Sequence, residues 1–257
     1  MVAAAMELKR LGLARKPLFA VPNHMLGQFS MELLTLYPGA NILVATKDDF
    51  AKDKRKTLTS RIATGNWDAV IVTHSGFEKI PISRAAQEEF IRGEMRELSL
   101  AIEQQSQEHN SRIIKLLERA KKRLEGKLKE LSAVEHKDDG LTFEELGVDR
   151  LFIDEAHYFK NLFYVSKMTR IAGLPQTASQ RAFDMFLKVL HVQRVNAGGG
   201  VVFATGTPIA NSVAEMFTMQ RYLQMSALKA LKLDHFDSWA ATFGEPARPS
   251  VGIIPSG

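Results

Sequence analysis

Five short apolar runs, each closed by a polar cluster, restrict what this chain can fold into. They are "PLFAV" (17–21), "ANILVAT" (40–46), "WDAVIVTH" (67–74), "RLFID" (150–154) and the strand within "GGGVVFATGTP" (198–208). Such runs are too short for a buried helix and lack polar alternation, so each reads as a strand buried on both faces. Segments of helical spacing lie between them: 1–13, 23–38 up to Pro38, a charged helix over 47–65 ending at Gly65, 179–195 and 209–225. Alternating buried strands and helices predict an α/β fold with a parallel sheet covered on both sides. In such sheets ligands bind beyond the carboxyl ends of the strands. "VPN", "VTHS", "DEAH" and "ATGTP" all fall at that one edge.

Composition narrows the function classes. The 257 residues include no cysteine, which removes disulfides and thiolate metal sites and fits a reducing, cytoplasmic setting. No apolar run reaches the roughly 18 residues that span a bilayer, so no membrane partner is expected. A net charge of +5 permits a polyanionic partner without requiring one. The seven histidines show no H-x-x-x-H pairing of the metal-binding kind.

One stretch departs from the α/β pattern. Ser83 to Val134 is polar and almost free of Gly and Pro. Ile91, Met95, Leu98 and Ile102 are spaced 4-3-4, as are Ile113, Leu117, Ala120 and Leu124, with Leu131 one heptad on. That spacing predicts two antiparallel helical arms with a turn near Asn110, stabilising or spacing the lobe. The expected organisation is a lobe over 1–244, the arm inserted at about 83–134, and an irregular tail over 245–257.

The chemistry concentrates in "LFIDEAHYFKN" (151–161). Adjacent carboxylates on a regular strand point to opposite faces, but at a strand end they can diverge. One can reach Mg²⁺ through its water shell while the next acts on a water beside a nucleotide γ-phosphate. Mg²⁺ needs few carboxylates when phosphates supply the rest, and phosphoryl transfer is mostly positioning and charge neutralisation. Acidic pairs at strand ends also cap helices, so Asp154 and Glu155 alone leave both readings open.

The motifs together go further. "DEAH" (154–157) resembles motif II of superfamily 2 helicases, and "YFKN" (158–161) resembles the extension found in Swi/Snf-type DNA translocases. "ATGTPIANS" (204–212) resembles their motif III, "FAVPNHMLGQF" (19–29) their motif Ia, and "DAVIVTHSGFEKI" (68–80) a DNA-backbone motif. "FDSWAATFGE" (236–245) falls where the family has a Phe-Trp-Phe helix. The order is the family's own. The nearest resemblance is to the helicase-like part of very large phage and mobile-element proteins, often joined to an adenine DNA methylase. The resemblance implies a RecA-like lobe that uses ATP and Mg²⁺ and moves on DNA, duplex more than single-stranded. It assigns Asp154 to Mg²⁺ through water, Glu155 to the attacking water, and His157 to coupling with motif III. Thr205, Gly206 and Thr207 would sense the nucleotide. Pro22, Asn23, Thr73, Ser75, Lys160 and Asn161 would line the nucleic-acid track. An RNA helicase of the DEAH-box type and a non-catalytic lobe that binds nucleic acid or a partner are the alternatives.

No G-x-x-x-x-G-K-[ST] follows any strand. "GLARK" (12–16) and "GGG" (198–200) precede strands instead. The resemblance places a P-loop strand inside the sheet and a second RecA-like lobe afterwards, so the expectation is one motor lobe of a larger machine, inactive by itself. Arg170 and Arg181 read as solvated or phosphate-facing, Trp67 and Trp239 as packing residues.

Overall fold

Alternate residues of the central strands feed two separate cores, and this sets the architecture. A computed structural model describes residues 1–107, 111–133, 140–162, 179–209 and 213–244. Its strands are β1 (Pro17–Val21), β2 (Ile42–Ala45), β3 (Ala69–Thr73), β4 (Arg150–Ile153) and β5 (Val201–Phe203). All neighbouring pairs are parallel, in the order β2-β3-β1-β4-β5. Leu18, Ala20, Val70, Val72, Leu151 and Ile153 face one core. Phe19, Val21, Ala69, Ile71 and Phe152 face the other. Side chains alternate along a strand, so apolar residues at every position supply both faces.

Helices cover each face. α1 (Val2–Arg10) and α2 (Leu26–Leu36) contribute Val2, Ala5 and Leu33 to the smaller core. α3 (Arg55–Thr64), the single turn α4 (His74–Phe77) and α7 (Gln180–Val195) contribute to the larger one. Between α4 and α7 in the chain come α5 (Arg84–Gln107) and α6 (Ser111–Ala133); α8 (Val213–Ala230) and α9 (Phe236–Phe243) follow β5. Each fully buried aromatic such as Phe19 or Phe152 contributes about 1.5–3 kcal/mol by leaving water. Trp239 is buried against Phe217 and Phe236 between α8 and α9, a packing role as expected. Trp67 donates from Nε1 to the Arg61 carbonyl.

Two expectations need correction. The charged helix over 47–65 is broken: a 3-10 turn occupies Asp48–Phe50, and α3 starts only at Arg55. The Asp49 carboxylate accepts from Thr46 N at 2.8 Å and Thr46 Oγ1 at 2.7 Å, Phe50 is buried, and Ala51 is extended. The carboxylate caps the start of the 3-10 turn, and the turn ends where Ala51 becomes extended. The fifth strand is not buried on both faces: Val202 is 40% exposed and β5 is an edge strand. The five strands pair without a gap, so a further strand has room only outside β2 or β5.

The helical arm lies on the body. Ile91 is fully buried in the larger core, and Phe90 meets Phe183 and Phe186 of α7 edge-on. Lys127 of α6 sits 3.2 Å above the Phe183 ring, and Glu97 of α5 pairs with Lys229 of α8 at 2.8 Å. Asn110, Arg170, Pro175 and the tail over 245–257 lie outside the described residues. Among the described residues no helix is long and apolar enough to cross a membrane.

Candidate active site

The sheet order reverses between β1 and β4. The chain leaves β1 toward β3 and β2, and leaves β4 toward β5. Adjacent loops diverge at such a point and open a crevice beyond the strand ends. Pro22 and Asn23 follow β1 there, and Asp154 and Glu155 follow β4.

The Asp-Glu turn is held from both sides. Asp154 N donates to Ala20 O at 2.9 Å, and Ala156 N donates to Ala204 O at 2.9 Å. Between these anchors Glu155 adopts φ 46° and ψ 50°. For a residue with a Cβ this left-handed conformation costs about 1–2 kcal/mol. It breaks the strand alternation at the position where the two acids must diverge. Backbone strain of this kind collects at functional sites.

Glu155, His157 and Thr205 form one cluster. His157 Nδ1 lies 3.1 Å from Glu155 Oε2 and 3.0 Å from Thr205 Oγ1. Thr205 Oγ1 is 3.4 Å from Glu155 Oε2 and accepts from Thr207 N at 3.1 Å. Thr207 Oγ1 is 3.4 Å from His157 Nδ1. The DEAH turn and the "TGTP" loop are thus joined through side chains. Gly206 is exposed, with open space where a Cβ would stand. The remaining residues of that motif, Ala210, Asn211 and Ser212, lie outside the described residues.

A second cluster sits at the ends of β1 and β3. Ser75 Oγ donates to Asn23 Oδ1 at 3.0 Å, and Thr73 Oγ1 is 3.3 Å from Ser75 Oγ. Thr73 also accepts from Gly76 N at 3.0 Å, capping α4. Gly76 has no alternative: a Cβ there would meet the Phe50 ring at 2.4 Å. Pro22 is buried and starts the 3-10 turn that presents Asn23 to solvent. Lys160 and Asn161 do not join this cluster. Lys160 Nζ pairs with buried Glu215 of α8 at 2.9 Å, and exposed Asn161 accepts from Ser179 N through its carbonyl.

His74 joins the two clusters and had no role in the sequence reading. Its Nε2 lies 2.8 Å from the Asp154 carbonyl. A carbonyl only accepts, so Nε2 donates. The ring meets Tyr158 and Phe159 edge-on, and burial pushes its pKa below the ordinary histidine range. The signal was a histidine between two hydroxyl residues in "VTHS", at the edge already singled out.

Buried polar groups behind the site fix α4 and the DEAH turn. Lys188 of α7 is fully buried and donates to Phe77 O at 2.7 Å and Asp184 Oδ2 at 2.6 Å. Burial pushes the lysine down and the aspartate up. The Tyr222 hydroxyl of α8 lies 3.0 Å from Phe159 O and 2.9 Å from Ala182 O. Arg181 pairs with Glu78 at 2.6 Å. Lys16 of "GLARK" donates to Ile62 O, Ala63 O and Leu146 O, a backbone clamp far from any phosphate role.

Among the described residues no group of three or more His, Cys, Asp and Glu could cage a metal. Two adjacent carboxylates beside hydroxyl side chains suit Mg²⁺ delivered with phosphates, which needs only one or two protein ligands.

The profile of a family described as a probable helicase domain matches residues 1–249. The chain belongs to this helicase-domain family. Within it, 79 residues are 33% identical to the Defense against restriction protein B of Escherichia phage P1. That match covers 30% of this chain and 4% of the phage protein, so the chain spans only a small part of the relative it matches. The helicase domain is therefore a five-stranded parallel α/β lobe.

Proposed function

We propose that this helicase domain is the first motor lobe of an ATP-dependent DNA translocase of the superfamily 2, DEAH, Swi/Snf-like type. The observation that carries the reading is the Glu155–His157–Thr205 cluster at the reversal of the sheet. It links the end of β4, where a nucleotide's phosphates belong, to the loop after β5. ATP bound with Mg²⁺ supplies the transferable phosphoryl group and the charge that neutralises it. Asp154 is the carboxylate for the ion's water shell. Glu155 orients the attacking water and takes its proton. His157 and Thr205 hold Glu155 Oε2 in place and report its state to Thr207. Asn23, Thr73 and Ser75, with the Pro22 backbone, contact the DNA phosphates, which positions the strand without reading sequence.

The phosphate cradle is the missing part of the site. None of the 257 residues forms a G-x-x-x-x-G-K-[ST] motif. We assign the P-loop strand to another segment of the native polypeptide, paired along the exposed outer edge of β5, and the remaining catalytic groups to a second RecA-like lobe. The same absence favours one other reading, a lobe that binds nucleic acid without turnover. ATP hydrolysis by the native polypeptide that carries these residues, with and without duplex DNA, separates the two. DNA-stimulated turnover supports the motor; DNA binding without turnover supports the binding lobe.

A further inference from the structure

The charge of this chain is concentrated on one helix. α6 carries eight Lys and Arg against three Glu, an excess equal to the net +5 of all 257 residues. The positions are ordered. Lys115, Arg119, Lys122 and Lys129 are all exposed and spaced 4-3-7, with exposed Gly126 completing the 4-3-4-3 repeat. On a helix that spacing makes one stripe about 21 Å long. Leu117 and Ala120 are buried on the opposite side, so the stripe points away from the body.

We propose that this stripe is a second nucleic-acid contact, a track for the phosphate backbone of duplex DNA separate from the Asn23–Ser75 cluster. The choice of DNA rests on the function proposed above; the cationic track does not. DNA carries a charge every 3.4 Å of axis on each strand, so about six phosphates of one strand lie within the stripe's length. The structure disfavours two other occupants. A lipid surface is bound by amphipathic helices through a free apolar face, and the apolar face of α6 is covered by the lobe. A protein partner needs a buried aromatic or aliphatic anchor, and none of the exposed large apolar side chains lies on α6. Lys127, the inward lysine of the helix, stands over Phe183 and holds the arm to the body.

The test is fluorescence anisotropy of the 257-residue chain with a labelled 20-base-pair duplex, titrated with NaCl. The exposed variant Lys115→Gln/Arg119→Gln/Lys122→Gln/Lys129→Gln keeps good helix formers and leaves the packed face untouched. Circular dichroism is expected to match the parent. The slope of log affinity against log salt is expected to fall by about 3–4, at roughly 0.9 per phosphate contact. Lys122→Gln alone is expected to remove about 1. An unchanged slope in the quadruple variant, with weakened binding in Asn23→Ala/Ser75→Ala, overturns the stripe and leaves the proposed function standing. Loss in the quadruple variant alone upholds the stripe and overturns the strand-end track. No binding of duplex by the parent chain, or binding only to phosphatidylserine vesicles, overturns the stripe outright.

Discussion

The His74 imidazole donates from Nε2 to the backbone carbonyl of Asp154, 2.8 Å away. One residue thereby ties the loop after β3, where Thr73 and Ser75 meet Asn23, to the acid pair after β4. It spans the gap between the two functions assigned to the lobe.

His74 also gives the lobe a pH signature. Burial holds its pKa below the unfolded value, so the unfolded chain takes up the proton first as pH falls. The stability this group contributes is complete above about pH 6.5 and is lost as pH falls below it, by up to about 1.4 kcal/mol per pH unit. Urea unfolding at pH 7.5 and 5.5 should show a smaller loss in His74→Phe than in the parent. His191, also depressed by burial, contributes equally to both proteins and cancels. Equal losses would remove His74 as the source.

Lys188 predicts an asymmetry. Lys188→Ala leaves the half-buried Asp184 carboxylate without its lysine, and should cost about 3 kcal/mol. The joint replacement Lys188→Met/Asp184→Leu should recover most of that loss, because an apolar pair needs no partner. Chemical denaturation of the three proteins decides; a double variant no more stable than the single one would contradict it.

Much of this arrangement was legible in the sequence. β1 runs over 17–21 as its apolar run indicated, and the polar clusters do converge on one edge. Strand ends were readable because a buried parallel strand leaves nowhere else for polar groups. β5 misled because an apolar triplet looks the same in the middle of a sheet and at its edge; only the pairing tells them apart. The break at Ala51 was hidden because no Gly or Pro marks it anywhere in 47–56. The ion pair of Lys160 was hidden because its partner Glu215 lies 55 positions away on α8, beyond any local pattern. His74 was missed for the same reason: its acceptor is a backbone carbonyl 80 residues on.

Thr205 should behave as a positioning residue in the native polypeptide. Thr205→Ala removes the hydroxyl between Glu155 and His157 and should lower DNA-stimulated ATP turnover roughly 10-fold, the equivalent of one hydrogen bond. Thr205→Ser should restore most of it. ATP affinity should change little in either. A fall in affinity with unchanged turnover would assign Thr205 to binding instead.

The strand-end cluster makes a sequence-blind prediction. Asn23→Ala should weaken duplex binding by a similar factor on unrelated sequences, because phosphate contacts carry no base information. Anisotropy on two duplexes of different composition measures it. A loss confined to one sequence would point to base contact.

Glu155 is the central claim, and its test is steady-state ATP hydrolysis by the native polypeptide, parent against Glu155→Gln, with saturating duplex DNA. The amide keeps the size of the side chain and removes the proton acceptor. The account predicts a fall in turnover of about 100-fold or more with ATP binding retained. Turnover in Glu155→Gln within a few-fold of the parent would show that the acid pair does not serve hydrolysis, and the motor assignment would fall with it.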